Sequence, residues 1–235
     1  MQSLQCIRLA LSEENHSHEE ADTLIPHQVL ASVSENAVRE VFVWSPDTDV
    51  LVLLLHLVSS CHLGTQTHIK FLTGTGTKSR EINVVERMEA IGSNKCKGLL
   101  GFHNFSGADW GGKFVGISKK TWVDAYMRLE EDDPAVDCFK KLGEGSIAEE
   151  LIDGELPLKF KALARFVCNV YRSSGPTAIP ALRWDLFPSK NLEGEMLPPT
   201  RSALLPHIRR ANYITMRDKA YPSNHPALPP IEENG

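Results

Sequence analysis

The sequence lacks any C-x-x-C pair: its five cysteines, Cys6, Cys61, Cys96, Cys138 and Cys168, stand far apart. That spacing argues against a zinc ribbon and against a disulfide framework, and it predicts reduced thiols in an intracellular protein. The nine histidines are equally scattered, and the one close pair, His16-x-His18, has no partners at zinc-finger spacing. Long apolar runs are missing too. None approaches the roughly 20 residues that span a bilayer, and the longest, Val50 to Leu55, stops at His56 and predicts buried core. No secretory leader is expected, because Arg8 and Glu13-Glu14 fall where its apolar stretch would lie. Excess positive charge is absent as well: 25 basic against 30 acidic residues leave −5. A protein with that balance has no global field for nucleic acid, so any such function needs a local patch or a metal ion.

What is present is ordinary folded protein. The 235 residues are 42% hydrophobic and 23% charged, enough for one generous domain or one domain with an appendage. Gln5 to Leu11 alternates as a strand would. Ser17 with Glu20 makes a capping box ahead of a helix that runs to about Val33 with Pro26 inside it. Arg39 to Trp44 reads as a short buried strand, Asp49 to Ser59 as a helix capped by Asp47 or Thr48, and His68 to Leu72 as the next strand. A Gly/Thr turn and a helix over Glu81 to Ile91 follow. This alternation predicts an α/β fold, a mostly parallel sheet sandwiched by helices, with its site at the carboxyl ends of the strands. Farther on, Lys119 to Leu129, Ala135 to Leu142, Phe160 to Arg172 and Thr200 to Ala220 read as helices. Ten of the fourteen prolines lie between Pro176 and Pro230. The division expected is an α/β domain over 1–130, a helical and irregular extension over 131–220, and an extended Pro-rich tail over 221–235.

Three acidic clusters carry the chemistry: Glu20-Ala21-Asp22, Asp47-Thr48-Asp49, and Asp109 after Ser106-Gly107-Ala108. Carboxylates gathered at the mouth of a sheet repel one another, and they stay ionised only if a cation neutralises them. Hard oxygen ligands suit Mg²⁺ or Mn²⁺, and two such ions can stabilise both the attacking and the leaving oxygen of a phosphodiester. Each cluster also has a plain structural account. Acids near a helix start favour its dipole, an Asp after a strand caps the next helix, and an Asp beside glycines makes a turn.

Ser17-His18-Glu19-Glu20-Ala21-Asp22-Thr23, the block Trp44-Ser45-Pro46-Asp47-Thr48-Asp49-Val50-Leu51-Val52-Leu53-Leu54, and Gly107-Ala108-Asp109 together resemble PIN-like domains of the flap endonuclease class. Within that class the chain looks most like an animal group, associated with mobile elements, that carries H-E-E-A-D-T and S-P-D-T-D-V blocks. The resemblance covers residues 17–125 and implies a PIN-like fold and a nuclease. It implies Mg²⁺ or Mn²⁺ held by Glu20, Asp22, Asp47, Asp49 and Asp109, with Asp47 and Asp49 catalytic and Glu19 one residue out of register. Phe114-Val115-Gly116-Ile117-Ser118-Lys119-Lys120 stands where flap endonucleases place a G-I-G-P-K turn, with Ser118 for the second Gly and no Pro. It implies phosphate contacts from Lys113, Lys119 and Lys120, which position a substrate without reading its sequence. The expected partner is nucleic acid, DNA in preference to RNA, with no membrane, and the resemblance alone suggests the nucleus. Flap endonucleases carry further metal-binding Asp residues on earlier strands, so the resemblance also implies a chain that begins inside the fold.

Two other functions fit parts of the sequence. In a haloacid-dehalogenase-type phosphatase Asp47 would be the nucleophile and Asp49 the general acid, but Glu20, Asp22 and Asp109 would then have no task. A PIN-like scaffold that has lost cleavage would bind nucleic acid or a protein, using Lys159, Lys161, Arg165 and Arg172 or Arg209, Arg210 and Arg217. Gly74-Thr75-Gly76-Thr77-Lys78-Ser79 imitates a nucleotide loop, yet Thr77 stands where the final Gly must be, which predicts a turn.

Overall fold

The computed structural model describes residues 21–36, 39–61, 67–108, 112–147, 155–188 and 194–223, with 228 and 230. The strand read over Gln5 to Leu11 and the capping box of Ser17 and Glu20 lie outside these residues. The first described elements are α1 (Ala21–Asn36), β1 (Glu40–Trp44) and α2 (Thr48–Ser60). β2 (His68–Thr73) and β3 (Arg80–Asn83) follow, then α3 (Val84–Ile91) and α4 (Ser93–Gly107). The helical part comprises α5 (Lys119–Met127), α6 (Pro134–Lys141), α7 (Lys161–Tyr171), α8 (Ile179–Leu186) and α9 (Arg201–Lys219).

The fold is α/β, but its sheet is small and mixed. Among the described residues three strands lie in the order β1-β2-β3, β1 parallel to β2 and β2 antiparallel to β3. The mostly parallel sheet expected from the alternation is therefore corrected. Its cause is the Gly/Thr turn, which closes a hairpin. Gly74 has φ +77°, and a Cβ there would stand 2.3 Å from Lys78 O, so the chain reverses tightly and β3 pairs back onto β2. The helix expected from Glu81 consequently starts at Val84, where the Asn83 side chain accepts from the amides of Val85 and Glu86.

β1 differs from expectation in burial. Ile69 and Phe71 of β2 are fully buried, whereas β1 buries only Val43 and leaves Phe42 43% and Trp44 63% exposed. Its side chains alternate, Val41 and Val43 facing the core and Glu40, Phe42 and Trp44 facing outward. Asp47 accepts a hydrogen bond from the amide of Asp49 and so caps α2, whose Val50, Leu53, Leu54 and Leu57 enter the core.

The centre of the molecule is α4, a helix with no clear apolar stripe. It packs on α2, α6 and α9, with buried residues on most of its circumference. Gly98 and Gly101 permit this crowding. A Cβ at Gly101 would lie 2.3 Å from Phe139 O of α6, and one at Gly98 would lie 2.7 Å from the Tyr126 hydroxyl. Around α4 the rings interlock, Phe102 stacked on Tyr126 with centroids 4.3 Å apart and Phe105 edge-on to Trp122 and Phe139. One hydrophobic cluster runs from Val29 to Tyr221.

Tyr221, read as the first residue of the tail, is a core residue. His27 Nδ1 lies 2.8 Å from its carbonyl, and its hydroxyl lies 3.3 Å from His56 Nδ1. Among the described residues no helix is long and apolar enough to cross a membrane.

Candidate functional site

Four elements bring acids to one place. Asp47 sits just beyond β1, where its amide donates to Ser45 Oγ at 3.0 Å and its Oδ1 accepts from Asp49 N at 2.9 Å. Asp49 is one residue inside α2, and Asp22 lies in the first turn of α1. With Asp218 of α9, these three aspartates line a cavity of about 80 Å³ that also meets His103, Asn104 and Arg217. Glu20 and Asp109 lie outside the described residues. Ala108, which precedes Asp109, lines the cavity.

Each acid has its own electrostatic setting. His103 Nε2 approaches Asp49 Oδ1 at 3.3 Å. That nitrogen is buried and makes no well-aligned hydrogen bond, yet its close polar contact outweighs its charge as an influence on Asp49. It holds the Asp49 carboxyl below the usual carboxylate range, burial opposing and the charge of Lys119 assisting. Asp218 is pushed the other way by burial, although Arg217 and Asn104 both restrain the shift. Its Oδ2 accepts from Asn104 Nδ2 at 2.8 Å, and its Oδ1 accepts from Arg217 Nη2 at 2.9 Å. Asn104 also donates to Thr215 Oγ1 at 3.1 Å, tying α4 to α9 at the cavity wall.

A second cavity of about 390 Å³ shares Asp49, His103 and Ala108 with the first and carries Lys113 and Lys119. Lys119 turns inward. Its Nζ donates to the carbonyls of His103 and Gly107, both at 2.8 Å, satisfying two oxygens near the end of α4. Burial pushes its pKa down to about 8 against the pull of Asp49. Lys120 instead points to solvent and pairs with Asp124 of its own helix. The three lysines therefore part company: Lys113 and Lys119 line the second cavity, and Lys120 lines neither.

Four aspartates are among the lining residues, and their oxygens are the ligands a hard divalent cation takes, but His103, Asn104 and Arg217 line the cavity with them. Among the described residues, however, no three His, Cys, Asp or Glu side chains stand close enough together to hold a metal. Asp47 is engaged in its cap, and Asp218 in its bonds to Arg217 and Asn104. Four described cysteines are free thiols, and Cys96 and Cys168 among them are buried.

Sequence reasoning missed His103, Asn104 and Asp218. The first two lie on α4, which has no amphipathic signature, and Asp218 stands between Arg217 and Lys219, a pattern common on solvated helix ends. No protein-family model, curated protein or solved structure matches the chain.

Proposed function

We propose that the protein is a PIN-like, flap-endonuclease-like nuclease that hydrolyses phosphodiester bonds with the help of Mg²⁺ or Mn²⁺. One observation carries this reading: Asp22 of α1 joins the Asp47–Asp49 pair in lining one small cavity, which adjoins a lysine-bearing one. Glu20, Asp22, Asp47, Asp49 and Asp109 would hold the cation, which would supply charge stabilisation of the oxygens around phosphorus and a nucleophile at neutral pH. The chain's own residues do the rest. Asp47 is oriented by its bond to the Asp49 amide, and His103 beside Asp49 holds its carboxyl below the usual carboxylate range. Lys113 borders the adjoining cavity with a charge suited to a phosphate of the substrate. Lys119, tied to α4 carbonyls, shapes the cavity wall and contributes its charge from behind.

The test is cleavage of labelled single-stranded, duplex and flapped DNA and RNA in Mg²⁺ and in Mn²⁺. Asp47→Asn/Asp49→Asn is the matched control, because Asn keeps the helix cap that Ala would remove. Cleavage abolished in the control supports the reading, and equal cleavage removes these residues from the mechanism. A Tm that rises with Mn²⁺ in the wild type and not in the control reports cation binding independently of turnover.

The second reading is a scaffold that binds nucleic acid or a protein without cutting. It is favoured by the engagement of Asp218 with Arg217 and Asn104. A folded protein that binds oligonucleotides in EDTA and cuts none in either metal would support it. The setting we propose for either reading is intracellular, with the nucleus suggested by resemblance.

A further inference from the structure

A groove of about 640 Å³ lies away from the acidic cavity, between α8 and the start of α9. Its walls are mostly apolar, Ile179, Pro180 and Leu197 among them, and its rim is aromatic. Trp184 is 81% exposed and Phe187 63%, a large apolar surface to leave in water. Arg183 lies in the same groove and donates to the Pro198 carbonyl, a contact that leaves its positive charge intact. Asp185 pairs with Arg172 and Glu155 with Arg201, while Glu195, two residues before Leu197, is exposed. Aromatic faces beside an arginine are the chemistry that holds the bases and backbone of single-stranded nucleic acid.

The helix α9 connects this groove to the acidic cavity. Arg201 and Ser202 at its start line the groove, and Arg217 and Asp218 near its end line the cavity. At 1.5 Å per residue, Arg201 and Arg217 stand about 24 Å apart along the axis. Pro206, Arg210 and Tyr213 recur between them at helical spacing on the side that reaches solvent. At about 3.4 Å per stacked nucleotide, that span holds roughly seven nucleotides.

We propose that the α8–α9 groove is a base-stacking platform for a single-stranded segment of the substrate, and that α9 carries the strand from this platform to the acidic cavity. The inference rests on the nuclease reading, and it deepens that reading by assigning the substrate an unpaired arm about seven nucleotides long. Trp184 and Phe187 take the bases, and Arg183 and Arg210 take the phosphates.

The test is binding of fluorescein-labelled oligo-dT and oligo-U of four, eight and twelve nucleotides to the full chain in EDTA. Affinity is read by anisotropy and by quenching of tryptophan emission. The expected result is tight, salt-sensitive binding that rises steeply between four and eight nucleotides. Trp184→Ala and Phe187→Ala should each weaken binding by roughly tenfold, and Trp184→Ala should remove the quenching. Trp44→Phe, at an exposed position outside the groove, should bind as the wild type does. Comparing dT with U shows which nucleic acid the platform prefers. Wild-type affinity in both groove variants overturns the proposal and would leave the groove to a protein partner. Because EDTA prevents metal-dependent cleavage, loss of the nuclease reading shows separately, as Trp184-dependent binding without cleavage in Mg²⁺ or Mn²⁺.

Discussion

Acidification should weaken this protein through one buried imidazole, His56 of α2. Its ring lies edge-on to Tyr221 with centroids 5.9 Å apart, and Ser60 Oγ stands 3.3 Å from Nε2. Burial pushes its pKa from 6.5 down to about 4, with the charge of Lys219 adding to the effect. The folded value is below the unfolded one, so the native state resists taking the proton. Above pH 6.5 the residue is neutral in both states and stability does not depend on it. As the pH falls from 6.5 towards 4, the unfolded chain binds a proton that the native protein does not, and stability drops. The loss is about 2 kcal/mol at pH 5 and about 3 kcal/mol below pH 4, since each pKa unit corresponds to about 1.4 kcal/mol. The assay is urea unfolding of wild type and His56→Gln at pH 7.5 and pH 5. Glutamine has an amide to meet Tyr221 and Ser60, and it does not titrate. His207, whose pKa burial also lowers, is present in both proteins and cancels in the comparison. The stability advantage of wild type over the variant should shrink by about 2 kcal/mol between the two pH values. Parallel curves for the two proteins would refute the argument.

Three further substitutions probe the frame of the site. Asp47→Ala should unfold about 1 kcal/mol more easily than Asp47→Asn in urea, because only Asn retains the cap of α2; equal midpoints would remove the cap from the account. Gly101→Ala should destabilise by about 1–3 kcal/mol, since the new methyl meets backbone where α6 crosses α4, and an unchanged Tm would show that the two helices can separate freely. Asp218→Ala should cost about 3 kcal/mol by removing the carboxylate that Asn104 and Arg217 share at the cavity wall. Arg217→Met together with Asp218→Ala should recover part of that loss, and a double variant no better than the single would deny the coupling.

The helices that could be read from the sequence were those with contrast between their faces or a clear cap. α5, α6, α7 and α9 fall within two residues of the segments expected, and Asp47 was legible as a cap because it follows a strand and Pro46. α4 was illegible for the reason that makes it central. A helix buried on most of its circumference has no polar stripe, and nothing in the sequence says that Gly98 and Gly101 stand where α6 crosses. β3 was hidden because four residues are too few for a period to emerge. The acidic motifs supplied Asp22, Asp47 and Asp49, since short spacing is written in the chain. The partner of Asn104 was not, because Asp218 is 114 positions away and only the packing of α9 on α4 brings the two together.

That separation has a consequence for how the protein comes into being. His27 waits for a residue 194 positions later, His56 for one 165 later, and Asn104 for one 114 later. A growing chain therefore has its first acids long before it has the wall against which they are arranged. Closing such loops is entropically slow and leaves the apolar sides of α2 and α4 uncovered meanwhile. Any product that stops short of α9, by early termination or by a cut ahead of Thr200, would retain Asp22, Asp47 and Asp49 yet lack Asn104's partner on the far wall. The cavity is thus a property of the finished fold and not of its motif-bearing half, and a half-made molecule is exposed to proteolysis and aggregation.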